Sequence, residues 1–244
     1  MSDAPTPPGW HGKLPSLGDF ASRRLTPGFL AVWDTWLAQG MQQLRQRDPA
    51  GWLDAYLASP TRRFLLMPGV LGGPAAGAAA WAGVLMPSVD RVGRYFPFTI
   101  VQPVPGLPAS AQQIPQLWRW LGQLDELAAD ALHDDWPVDR LESELAHLAG
   151  PGDPALAVQA TVPTLAGAAT ATAALPQTPG ALVALPLPPG LDVGQQIGLQ
   201  AQALWQQQAQ GLAYWYASTD LLAPSLLVSR GLPASAAALL GATL

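Results

Sequence analysis

Residues 81–101 read Trp-Ala-Gly-Val-Leu-Met-Pro-Ser-Val-Asp-Arg-Val-Gly-Arg-Tyr-Phe-Pro-Phe-Thr-Ile-Val. Two apolar runs, 81–86 and 96–101, have the composition of buried strands and flank a polar loop. A plain hairpin needs a turn of only about two to five residues carrying Gly, Asn or Asp. This loop is longer, and it places Ser88, Asp90, Arg91 and Arg94 within seven positions. Loops of that kind, held by rigid flanks, are where binding residues concentrate. The hairpin also bears on the fold, because a sheet containing it cannot be purely parallel.

Working outward, strand and helix signals alternate. Residues 9–14 predict a short strand, and 15–19 a turn. Thr26 before Pro27 predicts a helix start, with Thr as the cap and Pro at the first helical position. Leu30, Trp33, Leu37, Met41 and Leu44 then form an apolar stripe at helical spacing. Asp48-Pro49 repeats the start signal before Trp52, Leu53, Tyr56 and Leu57. A strand is expected over 62–67, and Gly/Pro-rich irregular chain over 68–77.

Beyond the hairpin, a helix is predicted over 111–133, with Leu117, Leu121, Leu124, Ala128 and Leu132 on one face. Pro137 opens another, reaching about Leu148, with Leu141, Leu145 and Leu148 inward and Asp139, Glu142 and Glu144 outward. Residues 150–180, rich in Ala, Thr, Pro and Gly, predict a loop or poorly ordered insertion. A strand over 181–187, a Gln-rich helix over 193–208, strands over 212–217 and 225–229 and a short helix from Ala234 complete the chain. No internal repeat of fixed period is present. The expected fold is α/β, with helices on both sides of a mixed central sheet. The expected organisation is a flexible tail over 1–8 followed by a single domain over 9–244.

Composition narrows the function. The chain has 244 residues, 49% of them apolar, with ten Trp and no Cys, so it can fill a large core and cannot form disulfides or thiolate metal sites. Residues 1–100 hold nine Lys/Arg against six Asp/Glu; residues 101–153 hold two against nine; the last 91 residues hold only Asp192, Asp220 and Arg230. Neither basic density nor the overall charge of −5 suits a nucleic-acid footprint. Residues 1–8 lack the apolar stretch of a signal peptide, and 154–191, although nearly uncharged, is too interrupted by Pro and Gly for a membrane helix. A soluble, cytoplasmic protein without membrane insertion is expected.

A second constellation stands at Lys13-Leu-Pro-Ser-Leu-Gly-Asp19, followed by Arg23 and Arg24. Lys13 is the only lysine in the chain. This segment and the hairpin loop each carry a Pro-Ser pair followed by Asp, near basic residues. With strand 9–14 beside the hairpin, the two loops would face one cleft. The candidates for binding a partner or an anion are therefore Lys13, Ser16, Asp19, Ser88, Asp90, Arg91 and Arg94, with Asp90 able to pair with Arg91 or Arg94. Guanidinium groups suit carboxylate and phosphate. The alternative is that these charges only satisfy one another and fix the loops.

Enzyme motifs are missing: there is no Gly-x-Ser-x-Gly elbow, no Walker A Lys and no paired-Gly fingerprint. A hydrolase would have to use Ser16 or Ser88 with His11 as base, and a serine nucleophile needs that base within hydrogen-bond reach. His133 with Asp134 and Asp135, and His147 with Glu144, lie on polar helix faces or ends that suit solvent better than a metal. No catalytic residue, metal or cofactor is expected.

Gly-Trp-His-Gly-Lys-Leu-Pro-Ser-Leu-Gly-Asp-Phe over 9–20, Trp33-Asp-Thr-Trp36, Arg63-Phe64, the run 87–97, Tyr214-Trp-Tyr216 and Arg230-Gly-Leu-Pro233 together resemble the TagF, or ImpM, family of type VI secretion accessory proteins. The resemblance is specific over 9–100, weaker over 110–205, and returns near the end. It implies a three-layer α/β/α sandwich in the cytoplasm of Gram-negative bacteria. It further implies a non-catalytic, post-translational repressor of type VI secretion assembly that binds the system's forkhead-associated scaffold protein, Fha. The family's motif positions fall on Lys13, Ser16, Gly18, Asp19, Ser88, Asp90, Arg91, Gly93 and Arg94. A different reading, from the lone lysine and two arginines near tight turns, is a small-anion or nucleotide-sensing domain using Lys13, Arg91 and Arg94.

Overall fold

The computed structural model describes residues 6–72, 79–104, 113–148, 150, 176, 178–187, 192–197, 210–217 and 225–241. The expected tail over 1–8 lies mostly outside them, as do most of the 150–180 segment and all of the expected Gln-rich helix beyond 193–197, which is helical. The elements are β1 (Gly9–Gly12), β2 (Ala21–Arg23), α1 (Pro27–Arg47), α2 (Trp52–Leu57), β3 (Arg62–Leu66), β4 (Ala80–Met86), β5 (Phe98–Val104), α3 (Gln113–His133), α4 (Val138–His147), β6 (Leu182–Pro186), β7 (Leu212–Ala217) and β8 (Ser225–Arg230). A 3-10 turn, Ala236–Ala238, stands where a short helix was expected.

The strands form one eight-stranded sheet in the order β2-β1-β5-β4-β3-β7-β8-β6. The mixed sheet expected from sequence is corrected here, because every ladder between named strands is antiparallel. Parallel geometry occurs only as an isolated bridge between Pro179 and Arg230 among the described residues. The helical connections, α1 and α2 between β2 and β3 and α3 and α4 between β5 and β6, join strands that are not neighbours in the sheet, so none of them forms a parallel pair.

Both faces of the sheet are buried, and the two-residue strand period sorts side chains between two cores. Leu65, Val84, Ile100, Tyr214 and Val228 join Leu117, Leu121 and Leu124 of α3 and Leu141 and Leu145 of α4. Phe64, Leu66, Trp81, Leu85, Trp215 and Leu227 join Phe29, Trp33, Trp36, Leu37 and Met41 of α1 and Tyr56 of α2. This explains why β4 is buried at every position, without the alternation of a half-exposed strand. At its middle, Gly83 lies so close to β5 that a Cβ would sit 2.2 Å from the Ile100 carbonyl oxygen.

The second core accounts for much of the tryptophan content. Trp33 packs on Trp36 at 5.0 Å and on Phe64 at 5.1 Å, and Trp36 packs on Trp215 at 5.7 Å between ring centroids. Such pairs contribute about 0.5–1.5 kcal/mol each beyond the area they bury. The indole N–H of Trp33 donates to Thr99 Oγ1 at 2.9 Å and that of Trp36 to the Pro233 carbonyl at 2.9 Å, so neither burial strands a donor. Helix α1 begins as its sequence predicts. Thr26 Oγ1 accepts from the Phe29 N–H at 3.3 Å, Pro27 opens the first turn, and Arg45 and Arg47 occupy the last, where cations suit the helix dipole. The Asp48 signal is real but acts earlier than its helix: Asp48 Oδ1 accepts from the Gly51 N–H at 2.9 Å, shaping a turn before α2 starts at Trp52.

Candidate functional site

The two charged segments meet because β1 pairs with β5, setting the end of β1 beside the hairpin loop. The exit from β1 is tight. Gly12 has φ +128, and a Cβ there would lie 2.1 Å from the Pro97 carbonyl oxygen, so no other residue fits without moving the strand. The chain then turns, the Leu17 N–H donating to Leu14 O at 2.9 Å. Opposite, the hairpin loop closes on itself through a Val89–Tyr95 bridge, with the Gly93 N–H donating to Asp90 O at 2.9 Å. Helix α2 holds its base. The Tyr56 hydroxyl accepts from the Ser88 N–H at 2.8 Å and donates to the Ser88 carbonyl at 3.0 Å. Burial pushes the Tyr56 phenol well above its ordinary range, which keeps that proton in place.

The loops interlock instead of flanking a cleft, which corrects the expected geometry. Ser88 Oγ donates to Lys13 O at 2.7 Å, and the Arg91 N–H donates to Leu17 O at 2.9 Å. At the centre is Asp90, whose side chain is fully buried. Its Oδ2 accepts from Lys13 Nζ at 2.7 Å and from Arg94 Nε at 2.7 Å, and its Oδ1 from the N–H groups of Arg94 at 2.8 Å and Val92 at 3.1 Å. Burial by itself would raise the Asp90 carboxyl. The bonds from Lys13, Arg94 and the two backbone groups outweigh that and hold it well below the usual carboxylate range. Arg94 also donates through Nη2 to the Gly18 carbonyl and lies 3.6 Å from the exposed carboxylate of Asp19.

The remaining candidates separate. Ser16 Oγ donates to the Trp136 carbonyl at 2.7 Å, tying its loop to the α3–α4 connection. Asp19 Oδ1 accepts from the next residue's N–H, Phe20, at 2.8 Å, and its side chain is otherwise in solvent. Arg91 is exposed, and its guanidinium makes no hydrogen bond or ion pair with the described residues. Of the two pairings open to Asp90 in the sequence, the structure forms the one with Arg94. Lys13 and Arg94 thus already share a carboxylate, and Lys13 Nζ also lies 4.0 Å from the centre of the Phe20 ring.

The serines are not arranged as nucleophiles. Both donate to backbone carbonyls, and His11 Nε2 lies 3.0 Å from Asp34 Oδ1. Among the described residues no three His, Cys, Asp or Glu side chains gather as a metal site, and His147 Nδ1 donates to the Ser143 carbonyl at 2.7 Å.

Three residues that sequence reasoning did not single out matter here. Tyr56 anchors the hairpin from a helix 32 positions away in sequence. Phe20 and Val92 are 47% and 63% exposed, and with Leu57 they are the exposed large apolar side chains among the described residues. Phe20 stacks on His11 and meets Phe96 edge-on at 4.8 Å, so it is held while exposed. The available signal was a large apolar residue set against charge in a turn: Phe20 directly after Asp19, and Val92 between Arg91 and Arg94. The interlocked loops therefore present Phe20, Arg91 and Val92 on a frame fixed from beneath by Asp90.

The family model described as the TagF N-terminal domain, type VI secretion system-associated, matches residues 9–148, which include both loops and α1 to α4. Among solved structures, the crystal structure of PA0076 from Pseudomonas aeruginosa PAO1 is similar, with 30% identity over 96% of this chain and 92% of that one, and a TM-score of 0.64. No curated protein matches the chain.

Proposed function

Because the chain belongs to the type VI secretion-associated TagF family, we propose that it is a non-catalytic regulator that binds a protein of that system through the interlocked loops. In this reading it acts in the cytoplasm as a post-translational repressor, and its partner is the forkhead-associated scaffold. The observation that carries the docking face is the contrast within the loops themselves. Lys13, Ser88 and Asp90 are buried and bound to one another, while Phe20, Arg91 and Val92 project outward, the arginine's guanidinium having no polar partner among the described residues. An aromatic and an arginine on a pre-shaped loop are the residue types that dominate binding energy at interfaces. The net positive balance of residues 1–100 favours an acidic patch on the scaffold. The helices on the two faces of the sheet, each with its own core, support a three-layer α/β/α sandwich forming one domain over 9–244.

The test is calorimetric titration of the scaffold with the wild type and with a Phe20→Ser/Arg91→Glu double variant. Arg91 is exposed and Phe20 half-exposed, so the variant should remain folded, with a melting temperature lowered only by the lost contacts of Phe20 with His11, Phe96 and Lys13. Binding should weaken by about 2 kcal/mol or more, roughly thirtyfold. Wild-type affinity in the folded variant would sink the docking face, whereas failure of the wild type to bind the scaffold at all would sink the partner.

A further inference from the structure

The two edges of the sheet, β2 and β6, are finished differently. At the β2 edge, charged side chains occupy the local backbone: Asp19 Oδ1 accepts the Phe20 N–H at 2.8 Å, and Arg23 Nη1 donates to the Ser22 carbonyl at 3.0 Å. Charge on an edge strand is a common guard against further pairing. The β6 edge lacks it. Residues 154–191 carry no ionisable side chain, so neither β6 nor the chain on either side of it supplies a guard of that kind. Among the described residues no strand pairs with the outer side of β6.

The ladders fix which backbone groups of β6 face outward, because successive residues of an antiparallel strand direct theirs to opposite sides. The Met67 N–H donates to the Leu212 carbonyl at 2.9 Å, so Leu212, Tyr214 and Tyr216 face β3, and Ala213, Trp215 and Ala217 face β8. On β8 their opposites Ser229, Leu227 and Ser225 face β7, which leaves Arg230, Val228 and Leu226 facing β6. The bond from the Gly180 N–H to the Arg230 carbonyl at 2.8 Å agrees. Val183 and Leu185, opposite Val228 and Leu226, therefore direct their backbone groups inward. Leu182, Ala184 and Pro186 direct theirs outward, and Ala184 is exposed. Proline has no N–H. The open edge thus offers the N–H groups of Leu182 and Ala184 and the carbonyls of Leu182, Ala184 and Pro186.

We infer that β6 pairs with β6 of a second copy, antiparallel about a two-fold axis centred on Ala184, so that one sheet runs through both molecules. In that register Ala184 lies opposite its own counterpart and Leu182 lies opposite Pro186. Every outward N–H then finds a carbonyl: each Ala184 N–H reaches the other Ala184 carbonyl, and each Leu182 N–H reaches a Pro186 carbonyl. The N–H that Pro186 lacks leaves only the Leu182 carbonyl over, at the rim, where water meets it. A second copy also brings no charge to the edge, whereas like charges set opposite each other would oppose pairing. An isologous contact closes, and the guarded β2 edges give a third molecule no place to add. A five-residue pair is a small contact, so the dimer is a weak one. The pairing uses the edge opposite β2 and is independent of the interlocked loops.

Sedimentation velocity of the full chain from about 5 to about 500 μM, a range suited to a small interface, tests this. The mass should rise with concentration toward that of a dimer and stop there. Ala184→Pro removes the central outward donor without touching the β8 ladder, and Ala184→Lys sets two like charges against each other. Each should weaken dimerisation about tenfold or more. The Phe20→Ser/Arg91→Glu variant should dimerise as the wild type does. Because the chain has no Cys, an Ala184→Cys variant reports the register. The Cα atoms of a hydrogen-bonded antiparallel pair lie about 5.5 Å apart, within disulfide reach, so mild oxidation should cross-link it. Val92→Cys, on the exposed loop, should cross-link far more slowly. A monomer throughout overturns the proposal, and is the outcome if another segment of this chain or a different protein takes the edge. So does growth beyond a dimer, undiminished dimerisation of folded Ala184→Pro or Ala184→Lys, or Ala184→Cys cross-linking no faster than Val92→Cys. Should the Pro and Lys variants fail to fold, Ala184→Cys, with its small side chain, decides.

Discussion

Asp90 and Arg119 are opposites. Asp90 carries a full buried charge, and all its capacity is used: two cationic side chains and two backbone N–H groups converge on it. Arg119 of α3 has a buried nitrogen, Nη2, with no hydrogen-bond partner among the described residues. The first is a device for holding shape, since a carboxylate with four donors has no affinity left for a ligand. The second is a group the fold has left in deficit. Charge that stands out in the sequence therefore does not say which charged groups are open for binding: Lys13 and Asp90 are spent on each other, whereas Arg91 beside them is exposed. In the hairpin loop the density of charge reflects how many loop atoms must be tied down.

The comparison can be tested at the points where the loops are most constrained. The largest effect should come from Gly12→Ala, which forces a Cβ into the Pro97 carbonyl at a positive φ; a loss of about 4 kcal/mol or failure to fold is expected in urea denaturation. A variant of near wild-type stability would show that the loop junction is compliant. Next, Lys13→Met leaves the Asp90 carboxylate buried with Arg94 as its remaining cation. A loss of about 3 kcal/mol, read from the same curves, is expected from the behaviour of broken buried ion pairs. A loss under about 1 kcal/mol would class this pair with exposed ones.

The third effect is in pH. The Asp90 pKa is lower folded than unfolded, where it is about 3.9. Its contribution is therefore fully present above about pH 5, declines as pH falls through the unfolded value, and is lost only below the folded one. Asp90→Asn should start less stable at pH 7 and lose less between pH 5 and pH 3, roughly the range spanning that titration. Parallel pH profiles would show that other carboxylates govern acid unfolding. The smallest effect should be Arg119→Gln, which removes a buried donor without an acceptor. Stability should change by about 0.5 kcal/mol or less, or rise slightly. A loss as large as that of Lys13→Met would erase the difference between the two groups.

Most strands and helices were legible because the apolar periods are clean: the leucines of α3 and α4, the aromatic run of β7 and the stripe of α1 face their cores as spaced, except that Phe29 and not Leu30 begins the α1 stripe. β2 was not, since Ala21-Ser22-Arg23 has no apolar alternation and is a strand only because the edge of β1 offers it partners. β5 begins at Phe98, two residues later than its apolar run, because Phe96 still serves the loop by donating to the Ser88 carbonyl. The seven candidate residues were found by type, and five of them do join in one network: Lys13, Asp19, Ser88, Asp90 and Arg94. Which of them are interior could not be read, because that depends on how β1 docks beside β5. Trp118 and Arg119 gave no sign of their unpaired donors, since an acceptor anywhere in the fold could have met them.

The strand order has a consequence for how the chain comes together in time. Strands drawn from residues 9–104 are contiguous on one side of the sheet, and those from 182–230 on the other, joined by the single ladder between β3 and β7. Closing that ladder brings together segments about 150 residues apart, a slow, entropically costly step by comparison with the neighbouring hairpins. Trp33, Trp36 and Phe64 are waiting on the first half, and Trp215 arrives with the second. The indole cluster is thus the zip fastener of a molecule made in two instalments, and its fluorescence is a built-in clock for the moment they join.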